Sequence, residues 1–394
     1  MQKKSIKGMS LEGKKVLMRV DFNVPLDSNL NITDDKRIRA ALPTIEHILG
    51  KNASIILMSH LGRPKGSVQE AMRLTPVGRR LEELLNKPVL KLDDCIGEEV
   101  EKAVEEMAPG QIILLENLRF HKAETENDPE FARKLSSLGD LFVNDAFGTC
   151  HRAHASTEGV THYLESAAGL LVQKEIEYFE KINLSPDKPF ALVLGGAKVS
   201  DKIPVIENML SKVDMVIIGG AMAYTFLKQK GIAIGSSRYE SDVAAVASSI
   251  LESAEAKGVE VVLPVDHVVC DSIEAPGQII TTETEDIPDG FMGVDIGPRT
   301  IKIYASKLQS VKTIVWNGPM GVFERDEFSN GTKSLAVAIA ESSAVSVVGG
   351  GDSAAAAKKF KVEDKMSHIS TGGGASLEYM EGKTLPGIAA LSDL

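Results

Sequence analysis

Four arginines occupy positions from which they could bind one small anion. Arg63, Arg119 and Arg152 follow the ends of predicted strands, and Arg37 opens a predicted amphipathic helix. A guanidinium group presents a planar, permanently charged fork that donates paired hydrogen bonds to a carboxylate or a phosphate. Each arginine taken alone could equally be an exposed or ion-paired surface residue. Together they predict a site for a small phosphorylated or carboxylated ligand.

Two polar residues at another strand end could complete this site. Asp21 and Asn23 are two positions apart, so both side chains would point the same way and offer acceptors to ligand hydroxyl groups. A turn cap before Val24-Pro25 is the alternative. Further along, Cys150, His151 and His154 are residue types that bind zinc, but no fourth ligand follows at the usual spacing, and a zinc site is not favoured.

Glycine clusters indicate a second kind of site. Gly195-Gly196, Gly349-Gly350-Gly351 and Gly372-Gly373-Gly374 each fall between a predicted strand and a predicted helix. Such a turn directs backbone N–H groups and the positive end of a helix dipole at an anion. Lys198 and Lys202 would share one face of a helix that begins at the first cluster, although a solvated surface pair is the alternative. These features predict a phosphate-binding surface.

Other side chains near the glycines could contact a nucleotide. Asp352 could bind a metal ion directly or through water, and Ser353 could cap a helix or donate to a phosphate. Glu324 could accept hydrogen bonds from ribose hydroxyls. No Walker-type loop is present. Gly349-x-Gly351-x-x-Ala354 matches the permissive dinucleotide fingerprint, but the acid expected about 20 residues later is missing, so a dehydrogenase stays open on weak grounds.

The elements that must position these residues follow a β-α-β pattern. Short Val- and Ile-rich runs alternate with segments of helical periodicity, which predicts an α/β fold with two doubly wound parallel sheets. The predicted strands cover residues 15–23, 54–60, 89–92, 111–118, 141–145, 190–195, 215–219, 259–265, 313–317, 345–349 and 368–371. First-half strands end in polar residues and second-half strands end in glycine. Since ligands bind at the carboxyl ends of such strands, each half should carry its own site.

The boundary between the halves is predicted near Asn183 to Pro189, where two prolines interrupt a helical stretch. A first domain would cover residues 1–172, a linking helix 173–185 with its helical core at Gln173 to Ile182, and a second domain 186–377. The sequence thus predicts two domains with different ligands.

Composition narrows the functional classes. The 394 residues include 44 Lys and Arg against 55 Asp and Glu, a net charge of -11, which argues against a general surface for nucleic acid or an anionic membrane. The three cysteines are too few for a disulfide framework, and no secretory signal is evident at the start, so a reducing cytoplasm is expected. The apolar run from Met215 to Leu227 is too short to span a membrane and predicts a buried strand entering a helix.

Several motifs, taken together and in order, resemble the phosphoglycerate kinase family. They are Arg19-Val20-Asp21-Phe22-Asn23-Val24-Pro25, Ser59-His60-Leu61-Gly62-Arg63-Pro64, Glu116-Asn117-Leu118-Arg119-Phe120, Gly195-Gly196-Ala197-Lys198-Val199-Ser200-Asp201-Lys202, Trp316-Asn317-Gly318-Pro319, Gly349-Gly350-Gly351-Asp352-Ser353 and Thr371-Gly372-Gly373-Gly374-Ala375. Ser353 replaces the Thr of many relatives, and both supply a hydroxyl group. The resemblance covers essentially the whole chain.

The resemblance implies reversible phosphoryl transfer between 1,3-bisphosphoglycerate and ADP, giving 3-phosphoglycerate and ATP, with Mg²⁺ on the nucleotide. It implies that phosphoglycerate is bound by Asp21, Phe22, Asn23, Arg37, His60, Leu61, Gly62, Arg63, Arg119 and Arg152. It implies that nucleotide is bound by Lys202, Gly293, Glu324, Gly350, Gly351, Asp352 and Ser353, with Asp352 at the metal. Catalysis would rest on Arg37, Lys198, Lys202, Gly372, Gly373 and Gly374.

The resemblance also implies that residues 378–394 return to the first domain. Two sites on different domains must close on each other before transfer, so we expect hinge closure in a monomer. Besides the dehydrogenase, a non-catalytic sensor of sugar phosphates or nucleotides remains an alternative from the residues alone.

Overall fold

The computed structural model describes residues 3–394 and divides into two compact units. The first consists of Met1–Glu177 and Thr384–Leu394, and the second of Tyr178–Lys383. Residues 1 and 2, which belong to the predicted first domain, lie outside the described residues.

The helices and strands alternate along most of the chain. The α-helices are α1 (Lys36–Leu49), α2 (Thr75–Leu85), α3 (Glu98–Glu105), α4 (Lys122–Thr125), α5 (Pro129–Ser136), α6 (Leu170–Leu184), α7 (Ile203–Met209), α8 (Ala223–Gln229), α9 (Ala244–Ala256), α10 (Pro298–Leu308), α11 (Asn330–Glu341), α12 (Gly351–Lys359), α13 (Gly374–Met380) and α14 (Pro386–Ala389). The strands are β1 (Lys15–Arg19), β2 (Ser54–Met58), β3 (Leu90–Lys91), β4 (Ile112–Leu114), β5 (Leu141–Asn144), β6 (Ser166–Ala168), β7 (Phe190–Leu194), β8 (Met215–Ile218), β9 (Glu260–Val262), β10 (His267–Cys270), β11 (Ile279–Thr281), β12 (Met292–Ile296), β13 (Thr313–Asn317), β14 (Val345–Gly349) and β15 (His368–Ile369).

The first unit is built on a parallel sheet in the order β3-β4-β2-β1-β5-β6. In the central register Val16 pairs with Ile55 of β2 and with Leu141 of β5. Every residue of β2 is buried, as expected for a strand covered by helices on both faces. This arrangement brings the loops after β1, β2, β4 and β5 to one edge of the sheet.

The C-terminal segment is part of the first unit. The Lys3 Nζ atom donates to the carbonyl oxygens of Ala389 and Leu391, both at 2.7 Å, and Asn144 Nδ2 donates to Gly387 O at 2.9 Å. The return begins at Thr384 and not at the predicted residue 378, because the preceding residues form α13 within the second unit. At the end of α13, Met380 O accepts a hydrogen bond from Asn208 Nδ2 at 2.7 Å, which attaches this helix to the second unit.

The second unit contains a parallel sheet in the order β15-β14-β13-β7-β8-β9. The parallel sheets confirm the predicted α/β fold class. Met215 to Leu227 folds as β8 followed by α8, also as predicted. In the described part of the chain no helix is both long and apolar enough to cross a membrane.

A small antiparallel sheet in the order β11-β10-β12 was not predicted. All three residues of β11 are exposed, and β12 contains a glycine and an aspartate, so neither strand shows the apolar run that identifies a buried strand. The short strand β6, Ser-Ala-Ala, was not predicted because it contains no Val- or Ile-rich run.

Several predicted strands are longer than the observed ones. The chain leaves β1 after Arg19 and β4 after Leu114, so the polar residues beyond them lie in loops and turns. The linking helix α6 is also longer than its predicted core, and the boundary between the units falls inside it, between Glu177 and Tyr178.

Candidate functional site

Five of the predicted anion-site residues form one hydrogen-bonded chain at the edge of the first sheet. Arg37 Nη1 donates to Asp21 Oδ2 at 2.7 Å, and the Asn23 amide donates to Asp21 Oδ1 at 3.3 Å. Asn23 Oδ1 accepts from the Gly62 amide at 2.9 Å, and Arg119 Nη1 donates to Gly62 O at 2.9 Å. The loops after β1 and β2 and the turn after β4 therefore hold these residues together.

His60 lies buried in the same region as a neutral imidazole. Arg19 Nη2 donates to its Nδ1 atom at 3.1 Å, which places the proton of the ring on Nε2. Burial lowers the pKa of His60 well below its usual value, and the positive charges of Arg19, Arg119 and Arg37 lower it further. His60 is thus suited to donate a neutral hydrogen bond from Nε2.

Arg119 shows that several cations converge here. Burial lowers its pKa to about 10, and the charges of Arg19, Arg152 and Arg63 act in the same direction. Its Nε atom is buried without a hydrogen-bond partner. Buried polar groups are almost always paired, so this unpaired N–H group among other cations is a hydrogen-bond donor suited to an anion.

Not every predicted anion-site residue offers its side chain. Phe22 and Leu61 are buried in the hydrophobic core, and their backbone amides donate to Ser59 Oγ at 2.9 Å and to Asn117 Oδ1 at 3.2 Å. Arg63 is exposed, and so is Arg152, which donates from Nε to His151 Nε2 at 3.2 Å.

The alternative zinc group is not assembled. Burial lowers the pKa of His154 to about 4, with Arg119 the next contribution. Within residues 3–394, the metal-capable group of three side chains consists of Asp94, Cys95 and His121 and does not include Cys150, His151 or His154.

In the second unit, the ends of β7 and β13 approach so closely that they require glycine. The Gly195 amide donates to Asn317 O at 3.0 Å. Gly318 has φ +101°, and a Cβ atom there would lie 2.2 Å from Gly195 O. Glycine is the only residue that fits this conformation and this space.

The two lysines do not share a helix face. Helix α7 begins at Ile203, so Lys198 lies in an exposed turn and Lys202 directly precedes the helix. Glu240 Oε1 accepts a hydrogen bond from Ser200 Oγ at 3.0 Å and fixes this turn. The predicted helix was wrong because the turn after Gly196 is longer than the glycine pattern suggested.

Lys202 is nonetheless directed into the glycine-rich region. Its Nζ atom donates to Asn317 Oδ1. Burial lowers the pKa of Lys202, whereas the negative charges of Asp201 and Asp352 oppose this shift. Lys202 therefore lies in the electrostatic field of the first turn of α12, where Asp352 is exposed.

Ser353 faces into the protein. It is fully buried, and its Oγ atom accepts from the Gly318 amide at 2.6 Å. Gly350 precedes α12 with φ +88°, and a Cβ atom on it would lie 3.0 Å from Asn317 Nδ2. Ser353 thus joins the turns after β13 and β14 through its Oγ atom.

The remaining predicted nucleotide and catalytic residues lie on separate elements of this unit. The Gly372 amide donates to Ser370 Oγ at 3.1 Å, Gly373 has φ +51°, and α13 begins at Gly374. Gly293 lies in β12, where a Cβ atom would overlap the hydroxyl of Tyr224. Glu324 is exposed.

Comparisons with known proteins decide the family. The model of the family described as Phosphoglycerate kinase matches residues 6–383. The chain belongs to the phosphoglycerate kinase family. It is 55% identical over 395 residues to a phosphoglycerate kinase of Moorella thermoacetica and 54% identical over 400 residues to one of Gloeothece citriformis, and both matches cover all of each chain.

Solved structures of the phosphoglycerate kinase family agree. The structure from Coxiella burnetii has a TM-score of 0.90 and 43% identity, and that from Pyrococcus horikoshii OT3 has a TM-score of 0.85 and 35% identity. Each match covers 98% of both chains. The chain is accordingly a phosphotransferase that interconverts 1,3-bisphosphoglycerate and ADP with 3-phosphoglycerate and ATP, in agreement with the resemblance. These findings support neither of the two alternatives from the sequence, a dehydrogenase and a non-catalytic sensor.

Sequence reasoning gave no role to two residues that connect the predicted site residues. Arg19 is fully buried and donates from Nε to Ser156 Oγ at 2.8 Å, and Ser156 in turn donates to Glu124 Oε1 at 2.6 Å. Asn317 joins Lys202 to the glycine turn. Both lie in motifs that resemble the family, and the available signal was a polar residue that directly follows three apolar residues at the end of a strand.

Proposed function

We propose that the first unit binds phosphoglycerate and that the second binds ADP or ATP. The observation that carries the first assignment is the buried, unpaired Arg119 Nε atom, which lies in the field of Arg19, Arg63 and Arg152. A phosphate or carboxylate of the three-carbon acid would supply the missing acceptor. An acidic chain with net charge -11 needs such a local cluster to attract this ligand.

The roles in the first unit follow from what each side chain can offer. Arg37, Arg63, Arg119 and Arg152 would neutralise the acid, and Asp21, Asn23 and His60 would orient its hydroxyl and carboxylate groups. Gly62 would allow close approach of the backbone. Phe22 and Leu61, whose side chains are buried and whose backbone groups bond within the protein, would support the loops that carry Asn23 and His60.

In the second unit, Lys202 and the glycine turns would hold the phosphates. Gly350, Gly351 and the backbone of Ser353 lie at the start of α12, where the helix dipole favours an anion. Gly293 and Glu324 would contact the nucleoside. Lys198, Lys202 and Gly372 to Gly374 would surround the transferring group together with Arg37.

Asp352 fits the magnesium ion that accompanies the nucleotide. Its carboxylate is exposed and forms no hydrogen bond within the described residues, and Mg²⁺ prefers oxygen ligands. When bound, the ion would neutralise charge on the phosphate oxygens.

The chemistry needs no general base in the ATP-consuming direction. The attacking group is a carboxylate, and its reference pKa of roughly 4 leaves it ionised at neutral pH. The enzyme has to align acceptor and donor in line and to stabilise charge on the equatorial oxygens. We infer that the units close on a hinge for this step, excluding water from the acyl phosphate, and that the enzyme is a cytoplasmic monomer.

Separate binding measurements test the assignment of ligands to units. By calorimetry, Arg119→Met should weaken 3-phosphoglycerate binding at least about 10-fold, because a charge-assisted contact worth roughly 1.5 to 3 kcal/mol is lost, and should leave MgADP affinity unchanged. Lys202→Met should weaken MgADP binding and leave the affinity for 3-phosphoglycerate unchanged. Loss of both ligands in one variant with intact folding, or of the wrong ligand, would contradict the proposal.

A further inference from the structure

Three metal-ligating side chains lie together in the first unit, outside the proposed substrate site. One ligand atom each of Asp94, Cys95 and His121 lies within 4.8 Å of the other two, in the only such group of three found among residues 3–394. His121 Nε2 is 2.6 Å from Asp94 Oδ1. Cys95 is fully buried, and the side chains of Asp94 and His121 are 53% and 30% exposed. Solvent therefore reaches the group through Asp94 and His121.

The backbone holds the two contributing segments in place. Asp94 and Cys95 are neighbours in the loop after β3, and Asp94 O accepts from the Glu116 amide at 3.2 Å. His121 ends the 3-10 turn Leu118–Phe120, and its amide donates to Leu118 O at 3.1 Å. Backbone hydrogen bonds thus fix the two segments that supply the three ligands.

We propose that Asp94, Cys95 and His121 form a Zn²⁺ site with a fourth position for water. A thiolate, an imidazole and a carboxylate suit zinc, whereas magnesium and calcium prefer oxygen ligands alone. With metal–ligand bonds of about 2.0 Å, the nitrogen and oxygen atoms would stand about 3.3 Å apart in tetrahedral geometry. Rotation of the half-exposed Asp94 carboxylate, whose Oδ1 atom also accepts from the Cys95 amide at 2.7 Å, would provide this separation.

The position of the site gives it a structural consequence. Arg119 lies two residues before His121, in the turn that His121 ends. A zinc ion would tie the loop after β3 to this turn, next to a residue that we assign to phosphoglycerate binding. Its binding can be followed without any substrate, so the inference can fail independently of the proposed function.

Cobalt titration of the full chain in the absence of nucleotide tests the site, with Co²⁺ as the spectroscopic substitute for Zn²⁺. We expect one thiolate-to-cobalt charge-transfer band per chain and tetrahedral visible bands, all abolished by excess Zn²⁺. The charge-transfer band should disappear in Cys95→Ser, and cobalt affinity should fall at least about 10-fold in His121→Gln and Asp94→Asn. Cys270→Ser and His162→Gln, which change a buried cysteine and an exposed histidine elsewhere, should retain the wild-type spectrum.

Folding of each variant is checked by circular dichroism, and His121→Gln and Asp94→Asn provide the test if Cys95→Ser does not fold. Absence of a thiolate band in the wild-type chain would overturn the proposal. So would a band that persists in Cys95→Ser, or a cobalt affinity that neither His121→Gln nor Asp94→Asn lowers.

Discussion

At the scale of single residues, the arginines of the first unit differ in burial and in hydrogen-bond partners although they carry the same guanidinium group. Arg37 is partly exposed and paired with Asp21, Arg119 is partly buried with an unpaired nitrogen, and Arg19 is fully buried and fully engaged. The sequence indicated the anion cluster because three of its arginines follow strand ends. It could not separate ligand-binding from supporting arginines, since that depends on burial and on partners distant in sequence.

Removal of Arg37 should affect the chemical step. Arg37→Ala should lower kcat by about 100- to 1000-fold, as deletion of a preorganised donor does, and should raise KM far less. Arg39→Ala in the same helix, where the arginine pairs with Asp35 on the surface, is the matched control and should keep normal kcat. Steady-state kinetics measures kcat and KM for both variants. A change confined to KM would refute a role for Arg37 in the transition state.

Removal of Arg19 should affect stability first. Arg19→Leu should cost about 3 to 5 kcal/mol, because it leaves the buried Glu124 carboxylate without its nearby cation. The double variant Arg19→Leu/Glu124→Gln should recover part of this loss. Urea unfolding measures both, and a cost of Arg19→Leu as small as that of a surface substitution would show that the buried network is not needed for folding.

At the scale of elements, apolar runs predicted most strands of both parallel sheets, but local patterns did not define where the elements end. The helix expected at Lys198 and Lys202 begins only at Ile203. Ser353 was expected to cap a helix or donate to a phosphate, and this stays a prediction; its Oγ atom accepts from the Gly318 amide, a contact that the spacing did not indicate. The start of the helix and the contact of Ser353 both depend on how neighbouring strand ends pack, which residue spacing does not encode.

The turn before α12 offers a matched pair of glycines. Gly350→Ala should cost about 1 to 3 kcal/mol, since φ +88° with ψ 148° is a region that only glycine adopts readily. Gly351→Ala should change stability little, because nothing lies within 4 Å of its added Cβ atom and its φ is not in the left-handed region. Equal unfolding midpoints in urea for the two variants would contradict this explanation.

Asp145, which contacts the start of helix α6, should make the free energy of unfolding depend on pH. Its Oδ1 atom accepts from the Leu171 amide at 2.9 Å at the start of the helix, and burial raises its pKa from 3.8 to about 7, against the opposing effect of its hydrogen bonds. The unfolded chain releases this proton near pH 4 and the folded chain only near pH 7. Between these values the group lowers stability as pH rises, by at most about 1.4 kcal/mol per pH unit.

Asp145→Asn removes this titration, so the stability of the variant relative to the wild type should increase from pH 4 to pH 7 and then level off. The exposed Asp187→Asn should show no such trend. Urea midpoints measured across this range provide the test, and a wild-type-minus-variant difference that does not vary with pH would contradict the raised pKa of Asp145.

At the scale of the whole molecule, two parallel-sheet units were predictable because polar strand ends and glycine strand ends divide the sequence into halves. The exact boundary was not predictable, since it falls inside the continuous helix α6. If the units close during transfer, small-angle scattering should show a smaller radius of gyration with 3-phosphoglycerate and a non-hydrolysable MgATP analogue together than with either alone. An unchanged radius would argue against closure.

The division of ligands between the units is the central claim, and hydrogen-exchange mass spectrometry tests it most directly. With 3-phosphoglycerate alone, we expect protection of peptides that contain Asn23, Gly62 to Arg63 and Arg119. With MgADP alone, we expect protection of residues 198–202 and 350–353. If both ligands protect peptides of the same unit and leave the other unit unchanged, the account is wrong.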